Sequence, residues 1–267
     1  MDFEFDFESV SEKAYCFLFC GDELLIKEVD GGFQIPLVCD LEILDSKPVH
    51  VYYMGLFAGN KCYSAICCKS SPQGFSFKKI RQVYGLIEDD CYWLMLRAFH
   101  IMSWIKANRF CGCCGGQMKV SPQDLAVQCG GCKQIVYPRI SPAIIVAVTK
   151  ADKILLAHSN RFPPGRYSVI AGFVEPGEAL EDCVKREVKE EVGIDVTAIQ
   201  YFGSQPWPFP DSLMVAFTAR WSGGEVKIDN KEIVDAHWYS ADHLPNLPNK
   251  DSIARQLIDW FVEQAKI

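Results

Sequence analysis

The sequence predicts an α/β protein in three parts. These are a mainly β N-terminal domain over residues 1–107 that ends in a helix, a four-cysteine zinc ribbon over 108–139, and a layered α/β domain over 140–267. Three observations carry this reading. Short apolar segments separated by Gly, Asp and Ser turns fill the first hundred or so residues. Two C-x2-C pairs follow, with 14 residues between them. Beyond these, strand patterns alternate with helix patterns, and one of the helices is densely acidic.

In the first part, Tyr15–Phe19, Glu23–Glu28, His50–Leu56 and Tyr63–Cys68 read as strands. A helix is expected from Asp90 to Lys106, with Leu94, Ala98, Ile101, Met102 and Ile105 as its apolar stripe. Cys16, Cys20, Cys39, Cys62, Cys67, Cys68 and Cys91 have no metal-ligand spacing. They are expected to pack as buried apolar thiols, since free Cys behaves as a small hydrophobe.

The middle part holds Cys111-Gly-Cys-Cys114 and Cys129-Gly-Gly-Cys132. C-x2-C spacing selects Cys111, Cys114, Cys129 and Cys132 as thiolate ligands of one Zn²⁺ and leaves Cys113 a spectator. Four thiolates close the coordination shell, so this zinc is expected to be structural.

In the third part, Ala143–Val148 and Lys153–Ala157 read as strands joined at Ala151-Asp152, and Tyr167–Ala171 as a strand leading to a turn. Gly172, Pro176 and Gly177 punctuate that turn, and the run from Glu178 to Val192 contains neither Gly nor Pro, so a loop feeds a helix. Leu213–Arg220 and His237–Tyr239 read as further strands. Ser252–Gln264 reads as a closing helix with Ile253, Leu257, Ile258, Phe261 and Val262 inward.

On the acidic helix, Glu187, Glu190 and Glu191 stand at i, i+3 and i+4 and share one face. Three adjacent like charges repel, and a hard divalent cation offsets that cost because Mg²⁺ prefers carboxylate and phosphate oxygen. A solvated acidic face is the plain alternative. Val184, Val188 and Val192 argue against it, since they place an apolar stripe beside the glutamates, and Arg186 supplies a charge partner. Further on, Ser204 to Ser212 reads S-Q-P-W-P-F-P-D-S, a stiff extended loop with Trp207 and Phe209. Such a loop suits a flat heteroaromatic ligand. Rings that only cover the core would give the same composition.

Composition narrows the class. A hydrophobic fraction of 49% and a charged fraction of 23% fit a globular chain of 267 residues. No apolar run reaches the length of a membrane span. The first residues are acidic where a signal peptide would be basic, so a cytoplasmic location is expected and the thirteen cysteines are expected to be reduced. A net charge of −7 argues against broad nonspecific binding to nucleic acid.

The stretch from Gly172 to Ile194 fits G-x5-E-x7-R-E-U-x-E-E-x-G-U at Gly172, Glu178, Arg186, Glu187, Val188, Glu190, Glu191, Gly193 and Ile194. It resembles the Nudix box of the Nudix hydrolases. The resemblance implies an α/β/α sandwich and hydrolysis of a nucleoside diphosphate linked to another moiety, with Mg²⁺ or Mn²⁺. The segment S-Q-P-W-P-F-P-x-S and the ribbon exit Tyr137-Pro-Arg-Ile-Ser-Pro142 are similar to those of the NADH pyrophosphatase branch, which includes the NAD-capped RNA hydrolases. By that resemblance the carbonyl of Ala171, with Glu187, Glu191 and Glu232, would hold the catalytic metals. Glu190 would hold metal or orient water, Arg186 would clamp the box carboxylates, and Glu178 would brace the loop. Arg81, Tyr137, Gln205, Pro206, Trp207, Pro208, Phe209, Pro210, Asp211, Ser212 and Ala254 would contact the nucleotide, and Phe173 would stack on a base. The expected substrate is NAD(H) or a related dinucleotide, with NAD-capped RNA a larger version of it, and the expected assembly is a homodimer.

A noncatalytic nucleotide sensor or a zinc-ribbon nucleic-acid adaptor is the competing class. A sensor is expected to lose a box glutamate, and this chain keeps them all. An adaptor is expected to ring the knuckles with basic residues, whereas Gly112 to Ile135 carries only Lys119 and Lys133, against Asp124.

Overall fold

The computed structural model describes residues 11–44, 48–70, 72–121, 124–228 and 230–265. The chain forms two compact units, Met1–Arg139 and Ile140–Ile267. No helix among the described residues is long and apolar enough to cross a membrane.

The first unit is built on a sheet of β1 (Tyr15–Cys20), β2 (Glu23–Val29), β3 (Gly32–Gln34), β4 (Val49–Phe57) and β5 (Asn60–Ile66), in the order β3-β2-β1-β5-β4, with β6 (Phe75–Lys79) also paired to β2. The central pair, β1 and β5, runs parallel. Helix α1 (Asp89–Ala107) packs on β1, β4 and β5. Its buried face is broader than the expected stripe. Tyr92, Met95, Leu96 and Trp104 join Ala98, Ile101 and Met102, while Leu94 and Ile105 are only half-buried. Cys16, Cys62, Cys67 and Cys91 are buried as expected, and burial pushes the Cys67 and Cys91 thiols up to about 12. Cys20 is half-buried, and Cys39 and Cys68 are exposed, against expectation. Neighbouring residues of extended chain face opposite ways, so Cys67 turns inward and Cys68 outward. In the turn around Cys39, the inward position is filled by Val38.

The ribbon belongs to the same unit. It has three short antiparallel strands, β7 (Met118–Val120), β8 (Val127–Cys129) and β9 (Ile135–Val136), with Met118 opposite Cys129 and Val127 opposite Val136. Their core is small: Met118, Val127, Cys111 and Cys129, closed by Trp104 of α1.

The second unit is a sheet between two helices. β13 (Asp195–Trp207), β14 (Ser212–Gly223), β10 (Ser141–Lys150), β11 (Lys153–Ser159) and β15 (Ile233–Ser240) lie in that order, and β12 (Ile170–Phe173) pairs with the first half of β10. β10 and β14 are parallel. The continuous apolar run of β10 serves both faces, as a strand covered on both sides must. Ile144, Val146 and Val148 join Val184, Val188 and Val192 of α2 (Leu180–Val192), while Ile145 and Ala147 join Leu257, Ile258 and Phe261 of α3 (Ile253–Gln264).

Two elements differ from expectation. The strand before the acidic helix is Ile170–Phe173 rather than Tyr167–Ala171, because Ser168 makes only an isolated bridge to Ala157. The proline-rich segment is not a free loop. Ser204 through Trp207 end β13 and pair with β14, Pro206 opposite Leu213 and Trp207 opposite Ser212. β13 is an edge strand, where a proline without an N–H breaks no ladder on its open side.

Candidate active site

β12 and α2 meet at Gly172. This glycine lies opposite Ile144 in the sheet, and a Cβ on it would fall 1.9 Å from the Glu187 carboxyl carbon. The absence of a side chain is what lets the Glu187 carboxylate rest against the strand backbone. The turn from β12 to α2 passes through Gly177 at φ 87°, and the Glu178 carboxylate accepts the Glu175 amide at 3.0 Å. Gly193, left-handed at φ 75°, ends α2.

One guanidinium ties these parts together. Arg186 Nε and Nη2 fork onto the two Glu178 oxygens at 2.7 and 2.8 Å. Nη1 donates to Glu187 at 2.8 Å and to Glu190 at 3.3 Å, and Nη2 also donates to the Phe173 carbonyl at 2.9 Å. Strand, turn and helix are thereby fixed by bidentate, charge-assisted bonds. The Arg186 hydrogen bonds, helped by the Glu175 amide, hold the Glu178 carboxyl down at about 2. Glu187 moves the other way, because burial raises its pKa more than Arg186 lowers it. A carboxylate held in that state gains from an added cation.

The remaining expected site residues divide by position. Glu191 is buried beside the α2 core, whereas the Glu190 side chain is 61% exposed. Glu232 precedes β15 and lies 3.6 Å from Arg161, with its side chain 57% exposed. Ala171 pairs with Ile145. Phe173 holds its ring 56% exposed at the end of β12. Trp207 and Phe209 pack edge to face at 5.3 Å across the hairpin tip, Pro208 is buried, and Pro206 and Pro210 are exposed. Asp211 accepts the Ser141 amide through its carbonyl, and Ser212 is buried. Gln205 is buried, with both polar side-chain atoms bonded to the start of α3, and Ala254 is buried in that first turn. Arg81 and Tyr137 belong to the first unit, Arg81 exposed in a short turn of 3₁₀ helix and Tyr137 exposed after β9.

The cysteines form the tighter group. The sulfurs of Cys111, Cys114, Cys129 and Cys132 all lie within 4.8 Å of one another, with Cys111–Cys132 at 3.6 Å and Cys114–Cys129 at 3.5 Å. Cys113 stands outside this group, exposed, and its amide donates to Cys111 Sγ at 3.4 Å.

Comparison with known proteins decides the family. A NUDIX domain model matches residues 139–261, an NADH pyrophosphatase zinc ribbon model matches 106–137, and a model for an NADH pyrophosphatase-like rudimentary NUDIX domain matches 13–104. The chain is 47% identical over 189 residues to the NAD-capped RNA hydrolase NudC of Stutzerimonas stutzeri, covering 71% of this chain and 68% of that one. It is 43% identical over 233 residues to the namesake of Pseudomonas fluorescens, covering 86% and 80%. The chain belongs to the Nudix hydrolases. Within them it falls in the NADH pyrophosphatase branch, and the order of a rudimentary Nudix domain, a zinc ribbon and a Nudix domain agrees with the predicted fold class. Nothing in these similarities supports the sensor or adaptor reading.

The residues of this Nudix hydrolase fit two kinds of metal. Four sulfurs within 4.8 Å of one another, two of the pairs at 3.5 and 3.6 Å, match a tetrahedral Zn²⁺ site, whose edges are about 3.8 Å for Zn–S bonds of about 2.3 Å. Gly116 leaves room for it, since a Cβ there would approach Cys129 Sγ at 3.1 Å. The Nudix box offers hard oxygen donors on one helix face, with the carboxylate of Glu187 seated on a bare glycine, which suits a divalent cation.

Sequence reasoning passed over two residues that touch the expected site groups. Cys183 donates to the Phe173 carbonyl at 3.4 Å beneath Arg186; its place at i−3 from that arginine is a sequence signal for the contact. Arg161, the partner of Glu232, lies far off in sequence and carries no such signal.

Proposed function

We propose that this Nudix hydrolase cleaves the pyrophosphate bond of NAD(H) to give NMN(H) and AMP, and removes the NAD cap from RNA 5′ ends to leave 5′-monophosphate RNA. The observation that carries the reading is the complete carboxylate helix locked onto Gly172 by Arg186, in a chain that shares most of its length with NAD-capped RNA hydrolases. Water attacks one phosphorus, the bridging P–O bond breaks, and the two nucleotide halves separate.

Glu187, Glu191, Glu232 and the Ala171 carbonyl are the proposed ligands of Mg²⁺ or Mn²⁺. Bound there, the cation would neutralise the pyrophosphate and lower the pKa of a coordinated water. Glu190, the most exposed of the box glutamates, orients the incoming water. Arg186 and Glu178 keep the turn and helix in register, so the carboxylates do not have to reorganise when substrate arrives. Phe173 offers an exposed ring for a base to stack on, and Trp207 with Phe209 forms the wall of the nucleotide pocket, with Ser212 and Ala254 as further contacts. Arg81 and Tyr137, in the first unit, are proposed as substrate contacts on the family resemblance alone. Cys111, Cys114, Cys129 and Cys132 hold one structural Zn²⁺. The protein is proposed to act in the cytoplasm as a homodimer, with domains 1–107, 108–139 and 140–267.

The test is incubation with NADH and Mn²⁺ followed by detection of AMP and NMNH. Rates on NAD⁺, ADP-ribose, diadenosine compounds and NAD-capped RNA are measured in parallel. Release of both mononucleotides is expected. No AMP from any of these substrates, with either cation, contradicts the proposal.

A further inference from the structure

Gln205 ties the aromatic hairpin to a distant part of the chain through two side-chain bonds. Its Nε2 donates to the Asp251 carbonyl at 2.6 Å, and its Oε1 accepts the Ile253 amide at 2.8 Å. The residue is only 5% exposed. Ile253 is the first residue of α3, and the first N–H groups of a helix have no partner inside it. Ser252 caps the helix from within, its hydroxyl accepting the Arg255 amide at 3.3 Å. The Ile253 amide is served instead from a strand 48 residues away in sequence. A buried amide bonded at both ends in this way fixes the separation of the two elements that it joins.

Those two elements both carry expected nucleotide contacts. Residues two apart in a strand face the same way, so Gly203, Gln205 and Trp207 share a face of β13. Gly203 confirms the direction, since a Cβ there would come within 3.9 Å of Ile253 Cδ1. Trp207 stands one step beyond the bonded pair, at the hairpin tip, and Ala254 follows Ile253 in the first turn of α3. We infer that Gln205 is a positioning residue rather than a nucleotide contact: it latches the Trp207 hairpin to the start of α3 and sets the width of the pocket between them. The inference rests on the proposed reading of that pocket as the nucleotide site.

Gln205→Met keeps the volume and removes both hydrogen bonds. In the metal-free protein, amide exchange at Ile253 is expected to accelerate at least about tenfold, with Arg255 less affected. The Kd for AMP should rise about tenfold, and KM for NADH should rise with it while kcat changes less than about threefold. If the latch acts through the ring, adding Gln205→Met to Trp207→Ala should cost under about twofold more in AMP affinity. In the wild-type protein, AMP is expected to slow exchange at Ile253 further. That measurement stands even if the methionine variant does not fold. Fully additive losses in the double variant would overturn the inference, because they would mean that Gln205 meets the nucleotide directly. Ile253 exchange that ignores both the substitution and AMP would overturn it as well. Exchange and AMP binding need no turnover, so a chain that failed to hydrolyse NADH would refute the proposed function and leave the latch to be judged on these results.

Discussion

The cysteine knuckles and the glutamate helix both gather anionic donors, but they gather them differently. The four sulfurs converge within 4.8 Å, and backbone amides do the holding. Amides of Cys132 and Gly131 bring the Cys129 thiol down to about 6. The Gln134 amide favours a thiolate at Cys132, yet the neighbouring Cys114 and Cys111 sulfurs push it up to about 12. One close-packed group therefore shares its protons, and a cation that displaces them closes the shell. Among the described residues, no group of three carboxylates reaches that spacing. Glu187 and Glu190 face Arg186, Glu191 is sunk beside the core, and Glu232 pairs with Arg161. Arg186, rather than a set of amides, organises Glu187 and Glu190. The difference teaches that convergence marks a closed structural site. Carboxylates spread along a braced helix would leave room for substrate oxygens to complete the shell of the proposed cation.

The largest expected effect tests the closed site. Cys129→Ser should reduce bound zinc from one per chain to less than about a tenth of that and unfold the ribbon locally, because metal binding and folding are coupled there. Cys113→Ser should leave zinc content unchanged. Elemental analysis decides, and zinc lost with Cys113 but kept without Cys129 would break the comparison at its firmer end.

Next comes the open site. Glu191→Gln preserves shape and removes one unit of charge, so turnover should fall at least about a hundredfold, near 2.7 kcal/mol. Metal-free stability should hold or rise. Wild-type turnover across a Mg²⁺ or Mn²⁺ titration would remove Glu191 from the metal site.

A smaller effect sharpens where recognition ends and chemistry begins. Trp207→Ala should lower kcat/KM on NADH by roughly ten- to a hundredfold, for about 1–3 kcal/mol of lost packing. A small pyrophosphate ester should be affected much less. Equal losses on both, with a lower melting temperature, would make the ring a prop for the core.

The smallest effect concerns the Arg186 clamp. A carboxyl whose pKa is lowered by folding adds stability that is complete above its unfolded value of about 4.3 and lost as pH falls through its folded value. For Glu178 that folded value is about 2. Glu178→Gln should thus melt below wild type at pH 7, and the gap should close between about pH 4 and pH 2. A gap independent of pH would mean that the clamp is not electrostatic.

Much of this was legible in the sequence, and the reason is local. The C-x2-C spacing, the i, i+3, i+4 glutamates and the Gly-Pro-Gly punctuation before α2 are all set within a few residues. Arg186 also lies within the helix that it organises. What stayed hidden depends on distant pairing. Ser204 to Trp207 joined a sheet because β14 was beside them and the outer edge was open to prolines. Gln205 reads as one more polar loop residue until α3 is placed against it. The exposed Cys39 and Cys68 show the same limit, since composition favours burial and only the local path of the backbone decides it.

The central claim is that the two metal sites divide the labour, zinc holding the ribbon and a separate divalent cation serving the glutamates. The most direct test is a mild chelation that strips labile cations while elemental analysis confirms that zinc remains. Hydrolysis of NADH should vanish, the melting profile of the ribbon should stay, and Mg²⁺ or Mn²⁺ alone should restore the release of AMP and NMNH. Full activity in the chelated, zinc-loaded protein, or recovery only on adding zinc, would contradict the account.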